Sequence, residues 1–162
     1  MASFTSTAFA QTVWKNQTID LAQNQTINQD FFAWGETSNI LGTVEGDAYI
    51  FGGKVLVEGN IKGDLIIAGG SVNIRGHIED DLRVLGGQVT ISGDVEGNVM
   101  AVGGNVDIAD SAKIGGSLTG VGGAITIFSK IPKGATIASG DATIGNSIGG
   151  NLSAAVGTIT LT

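Results

Sequence analysis

The chain has no cysteine, one proline and one histidine. Without cysteine it forms neither disulfides nor thiolate metal sites, and thiol content gives no information about the redox compartment. Aromatic residues are scarce, at six Phe, two Trp and one Tyr, so a core built around large rings is excluded. Charge is also scarce, at 14% of residues, and it is unbalanced: eight Lys and Arg against fifteen Asp and Glu leave a net charge of −7. A nucleic-acid binder needs a basic face to displace phosphate counterions. Eight scattered cations do not supply one, so no nucleic-acid partner is expected. No apolar run approaches the roughly 20 residues that cross a bilayer as a helix.

Glycine is abundant, with 27 in 162 residues, and 42% of residues are hydrophobic. A chain this apolar is not disordered. Its length suits a single domain. The core must come from small aliphatic residues at regular intervals. Near the N-terminus, Ser6-Thr7-Ala8-Phe9-Ala10-Gln11 carries small residues one and three places before a cut at Ala10, as at the end of a secretory signal peptide. Residues 1–11 are therefore read as a flexible tail or signal remnant. The expected location is extracytoplasmic or in the cell envelope, with a cytoplasmic, membrane-associated place as the alternative.

Gly-Gly recurs at 52–53, 69–70, 86–87 and 103–104, always 17 residues apart, and then at 122–123 after two extra residues. A fixed period of this size marks a solenoid. Rungs start at 29, 46, 63, 80, 97, 116, 133 and 150. Down the third position run Phe31, Ala48, Leu65, Leu82, Val99, Leu118, Ala135 and Leu152. Down the twelfth run Ile40, Val57, Ile74, Ile91, Ile108, Ile127, Ile144 and Leu161. The tenth and sixteenth are as uniform. Within a rung, apolar and polar residues alternate, as in Val72-Asn73-Ile74, which is the period of a strand with one buried face. Seventeen residues leave no room for a crossover helix. The fold expected is all-β, a single-domain parallel β-helix whose successive turns pair at about 4.8 Å. Residues 29–162 would form about eight rungs, and residues 12–28, where Ile19, Leu21 and Ile27 fit the columns poorly, an irregular N-terminal cap. Glycines at the corners are expected to supply both positive φ and close backbone packing. The extra residues at 109–113 should bulge from one corner.

The recurring G-D-φ-x-φ-x-G-G-x-V-x-I-x-G-x-φ unit (φ apolar) over residues 29–162 resembles bactofilins, polymer-forming bacterial cytoskeletal proteins. That resemblance implies a right-handed, roughly triangular β-helix that joins end to end into filaments without nucleotide. The signal-like N-terminus fits an extracytoplasmic relative of that family.

Two surfaces follow from the columns. If the third and fifth positions point inward, the fourth and sixth point outward. These carry Phe32, Trp34, Tyr49, Phe51, Ile66, Leu85, Met100 and Val102, an apolar stripe along one face and a candidate lateral interface. Solenoid ends expose unpaired strand edges, so Phe31 at one end and Ile159 and Leu161 at the other are candidates for end-to-end contact.

Catalysis finds little support. His77 stands beside Gly76 at a corner and reads as a solvated turn residue. The column Asp30, Asp47, Asp64 and Asp81 could stack carboxylates one rung apart, but corner formation explains it better than calcium, which needs six to eight oxygen ligands. Three threonines in a column, Thr126, Thr143 and Thr160, are too few for an ice-binding face. No cofactor or metal is expected. The function expected is a self-assembling structural protein, not an enzyme, forming filaments or oligomers with copies of itself. The rival is a rigid envelope or surface module that contacts a membrane or polymer.

Overall fold

Alternation with a 17-residue period leaves each strand one place to find its hydrogen bonds, in its equivalent one turn away. The computed structural model describes residues 11–162, with side chains described from Gln17 onward. The signal-like residues up to Ala10 lie outside the described residues. Fifteen strands are described and no helix. In chain order they are β1 (Gln11–Leu21), β2 (Thr26–Ile27), β3 (Phe31–Ile40), β4 (Thr43–Val44), β5 (Ala48–Val57), β6 (Asn60–Ile61), β7 (Leu65–Ile74), β8 (His77–Ile78), β9 (Leu82–Ile91), β10 (Asp94–Val95), β11 (Val99–Ile108), β12 (Lys113–Ile114), β13 (Leu118–Ile127), β14 (Gly134–Ile144) and β15 (Asn151–Leu161).

Long and short strands sort into two parallel sheets. The long ones stack as β1-β3-β5-β7-β9-β11-β13-β14-β15 and the short ones as β2-β4-β6-β8-β10-β12. Each long strand bends at its eighth-position residue, where the ladder skips one pair, so it supplies two faces; the short strand supplies a third. The register is the 17-residue register: Leu65 pairs with Leu82, Gly69 with Gly86 and Ile74 with Ile91. Nine strands at about 4.8 Å span about 38 Å between the first and last.

The core is one column-built cluster running through the rungs, with the third, fifth, tenth, twelfth and sixteenth positions turned inward. The longer connection ahead of β12 keeps this register. A turn closed by the Ala112 N–H donating to the Ala109 carbonyl takes up the extra residues, and Ala112 itself folds into the core.

The structure corrects three expectations. The segment 12–28 is a further rung: β1 pairs in parallel with β3, irregular only at a register shift between Trp14 and Asn16. Ile19 and Leu21 are buried in the core. Phe31 is therefore no end contact, because β1 lies over its strand and leaves it 2% exposed. Positive φ explains only Gly134, at 117°. The other corner glycines are required by close approach. A Cβ on Gly59 would run into the Gly42 carbonyl oxygen, one on Gly76 into that of Gly59, and one on Gly93 into that of Gly76.

Two stability changes follow. Gly76→Ala has no flexible neighbour to push aside and is expected to cost about 2–3 kcal/mol, as overpacking does. Ser38 is fully buried between apolar neighbours of its column, and its hydroxyl has no hydrogen-bond partner. Ser38→Ala removes that orphan group and is expected to stabilise by about 1 kcal/mol. Urea denaturation of both variants measures these differences.

Candidate functional site

On the face formed by the first half of each long strand, the fourth and sixth positions project outward. Phe32, Tyr49, Ile66 and Val102 are half-buried; Trp34 is 73% exposed, Leu85 55% and Met100 47%. Phe51 also stands exposed, and Val121 extends the stripe one rung further. The expected lateral residues thus lie on one face in adjoining rungs. Register puts like beside like. Phe32 stacks on Tyr49 with centroids 4.6 Å apart and planes 5° apart, and Trp34 meets Phe51 at 6.1 Å and 45°. Bulk declines along the rod, from rings through Ile66, Leu85 and Met100 to Thr119 and Thr136. Between Ile66 and Val102 the face dips into a shallow, almost wholly apolar groove of about 320 Å³.

Beside this stripe runs the corner that holds the acidic column. Here the main-chain N–H of the second position lacks a partner in either sheet and finds one in the carboxylate one rung below. The Asp47 N–H donates to Asp30 Oδ1 at 3.0 Å, Asp64 N–H to Asp47 Oδ1 at 2.9 Å, and Asp81 N–H to Asp64 Oδ1 at 3.0 Å. The Asn98 N–H donates to Asp81 Oδ1 at 2.8 Å, and Asn98 Oδ1 accepts from the Ser117 N–H at 3.0 Å. An amide oxygen serves as well as a carboxylate, so the role is that of an acceptor. Among the described residues no group of three or more acidic or histidine side chains is placed to hold a metal ion.

The second oxygens of the acidic column act on the stripe. Arg83 occupies a fourth position, where its charge would interrupt the apolar face. Its guanidinium is drawn to the corner instead, donating to Asp64 Oδ2 at 2.9 Å and Asp81 Oδ2 at 3.2 Å. The aliphatic stem stays in the groove wall with Leu85 and Met100. Tyr49 does the same, its hydroxyl donating to Asp47 Oδ2 at 3.4 Å while its ring stays in the stripe. Burial and the Asp47 and Asp30 charges raise the Tyr49 pKa. Burial pushes the Asp64 carboxyl up, but the Arg83 hydrogen bond, the Asp81 N–H and the Arg83 charge outweigh it and hold Asp64 below its ordinary value. Arg83 is in turn held more firmly protonated by its hydrogen bond to Asp64.

The remaining corner, around the short strands, is charged. Lys62 pairs with Glu45 at 2.8 Å, Arg75 with Glu58 at 3.2 Å, and Lys113 with Asp94 at 3.3 Å, each bridging adjacent rungs. His77 sits in this ladder with its Nε2 3.1 Å from Glu96. Exposed pairs of this kind add at most about 1 kcal/mol each.

At the far end of the stack, Ile159 is 42% exposed and Leu161 70%. Their column mates Ala142 and Ile144, one rung earlier, are buried. Arg83 was missed as part of the lateral face. Its position in the outward column was readable, and Asp81 lies only two residues before it, but Asp64, 19 residues away, meets it only across rungs.

No family model matches the chain, and neither the curated proteins nor the solved structures include a match to it.

The acidic corner yields a pH signature. A carboxyl held below its unfolded value contributes stability above that value, about 4 for Asp, and loses it as pH falls through the folded value. The wild-type chain is therefore expected to lose stability as pH drops below about 4. Asp64→Asn should flatten part of that fall while keeping the acceptor for the Asp81 N–H. Asp64→Ala should cost about 1–3 kcal/mol near neutral pH by orphaning that donor. Urea midpoints measured from about pH 7 down to about pH 3, a range that brackets the unperturbed Asp value, read both effects.

Proposed function

We propose that this protein is a non-catalytic structural rod that associates with copies of itself, laterally through the apolar stripe and lengthwise through the stacked rungs. The observation that carries the reading is the treatment of Arg83 and Tyr49. Both stand in outward positions of the stripe, and both polar ends are turned aside to the acidic corner. What remains is a continuous apolar face over at least six rungs, from Trp34 to Val121. Contiguous exposed apolar surface of this kind marks an interaction site.

The acidic corner also weighs against the membrane form of the rival reading. A stripe bordered by Asp30, Asp47, Asp64 and Asp81, on a chain of net charge −7, is repelled by an anionic membrane surface. A copy of the same rod offers an apolar stripe of matching length and spacing. Lengthwise, a further rung supplied by this chain or by a neighbouring copy would cover Leu152, Ile159 and Leu161, whose columns are core elsewhere. The repeat's resemblance to bactofilins agrees with such assembly, and the signal-like N-terminus with a place in the cell envelope.

Phe51→Asp and Val102→Asp each put a charge in the stripe without touching an inward column. Both variants are expected to keep the wild-type circular dichroism spectrum. Self-association should weaken about tenfold or more, corresponding to about 1.4 kcal/mol, as read by sedimentation velocity over a concentration series. Unchanged oligomer size in both would remove the stripe from the assembly. Leu161→Asp should leave lateral association intact and shorten any fibres seen by negative-stain microscopy.

A further inference from the structure

The two borders of the stripe differ in charge, and that difference restricts how two rods can meet. On the fourth-position side lie Asp30, Asp47, Asp64 and Asp81, with Arg83 the one cation held against them. On the sixth-position side lies the glycine corner, where Glu36 and Lys54 offset one another and Asp141 is a single further charge. Lys54 is exposed and has no ion-pair partner among the described residues.

Two identical faces pressed together about a two-fold axis have two arrangements. An axis along the rods keeps the rungs level and sets the acidic corner of each copy against the glycine corner of the other. An axis across the rods reverses one of them and sets acidic corner against acidic corner, a like-charge juxtaposition that is strongly disfavoured. The gradient of bulk points the same way. Level rungs bring Trp34 and Phe51 of one copy against Phe32 and Tyr49 of the other. Reversal over the full stripe brings them against small residues such as Ala138, at the other end of the column.

From this charge asymmetry we propose that the rods pair side by side, parallel and with rungs level, through the stripe, and that Lys54 of each copy lies at the rung of the other copy's Asp47. The inference rests on the self-association reading above and adds its orientation. The partner is a second copy of this chain.

The absence of cysteine makes the test direct. Ile66→Cys and Ala68→Cys place single thiols in the fourth and sixth columns of one rung. Each purified variant is oxidised alone, and the two are then oxidised as an equimolar mixture; the products are identified by mass. In parallel, level pairs the fourth column of each copy faces the sixth column of the other, so the mixture yields the Ile66→Cys to Ala68→Cys product and each variant alone links little. In a reversed pair fourth faces fourth and sixth faces sixth, so a thiol can meet only its own kind. Self-linking of either variant alone, or no mixed product in a chain that sediments as a dimer, would each overturn the orientation. A chain that sediments as a monomer throughout would overturn the self-association reading beneath it.

Discussion

The spacing of about 4.8 Å between parallel strands governs nearly every residue choice in this rod. Equivalent residues of successive turns sit directly over one another, so a side chain that suits one rung must suit its neighbours above and below. Aliphatic columns satisfy that condition inside, where Val, Ile and Leu repeat with little change. Glycine satisfies it where backbones pass too closely for a Cβ, as at Gly59, Gly76 and Gly93. At the acidic corner the same repetition strands a main-chain N–H in each turn, and a carboxylate or amide from the turn below accepts it.

That corner joins stability to surface chemistry. One oxygen of each Asp serves the backbone, leaving the other free for side chains of the neighbouring face. Asp64 and Asp81 take the Arg83 guanidinium, and Asp47 takes the Tyr49 hydroxyl. The apolar character of the stripe therefore depends on polar groups outside it. The same carboxylates give the stripe one charged border and one nearly neutral border, and a surface with unlike borders discriminates between orientations of an identical partner.

The rungs from 29 onward were legible because a constant offset of 17 makes the columns visible without knowledge of the fold. The first rung was not. Gln11 pairs with Phe31 and Ile19 with Ser38, so its offset begins at 20 and ends at 19, and the shift between Trp14 and Asn16 falls within the strand. Phe31 was assigned to an end for the same reason: the strand that buries it carried no matching period. The outward columns were readable from alternation alone, which placed Trp34, Phe51, Leu85 and Met100 on one face. Of the two carboxylates that take the Arg83 charge, Asp81 lies two residues away in the same turn, but Asp64 meets it only across turns, which order within one turn does not show. Corner glycines were readable as necessary, but the cause at positions such as Gly59, Gly76 and Gly93 is the approach of the preceding turn's carbonyl, and at Gly46 and Gly63 that of its backbone and Asp carboxylate, with positive φ at Gly134.

Small-angle X-ray scattering across a concentration series tests the lateral role of the stripe most directly, because it separates the thickness of a rod from its length. Lateral pairing through the stripe predicts that the cross-sectional radius of gyration rises with concentration toward that of two rods side by side. A cross-section that stays at the single-rod value at every concentration, whether or not the particle lengthens, would contradict it.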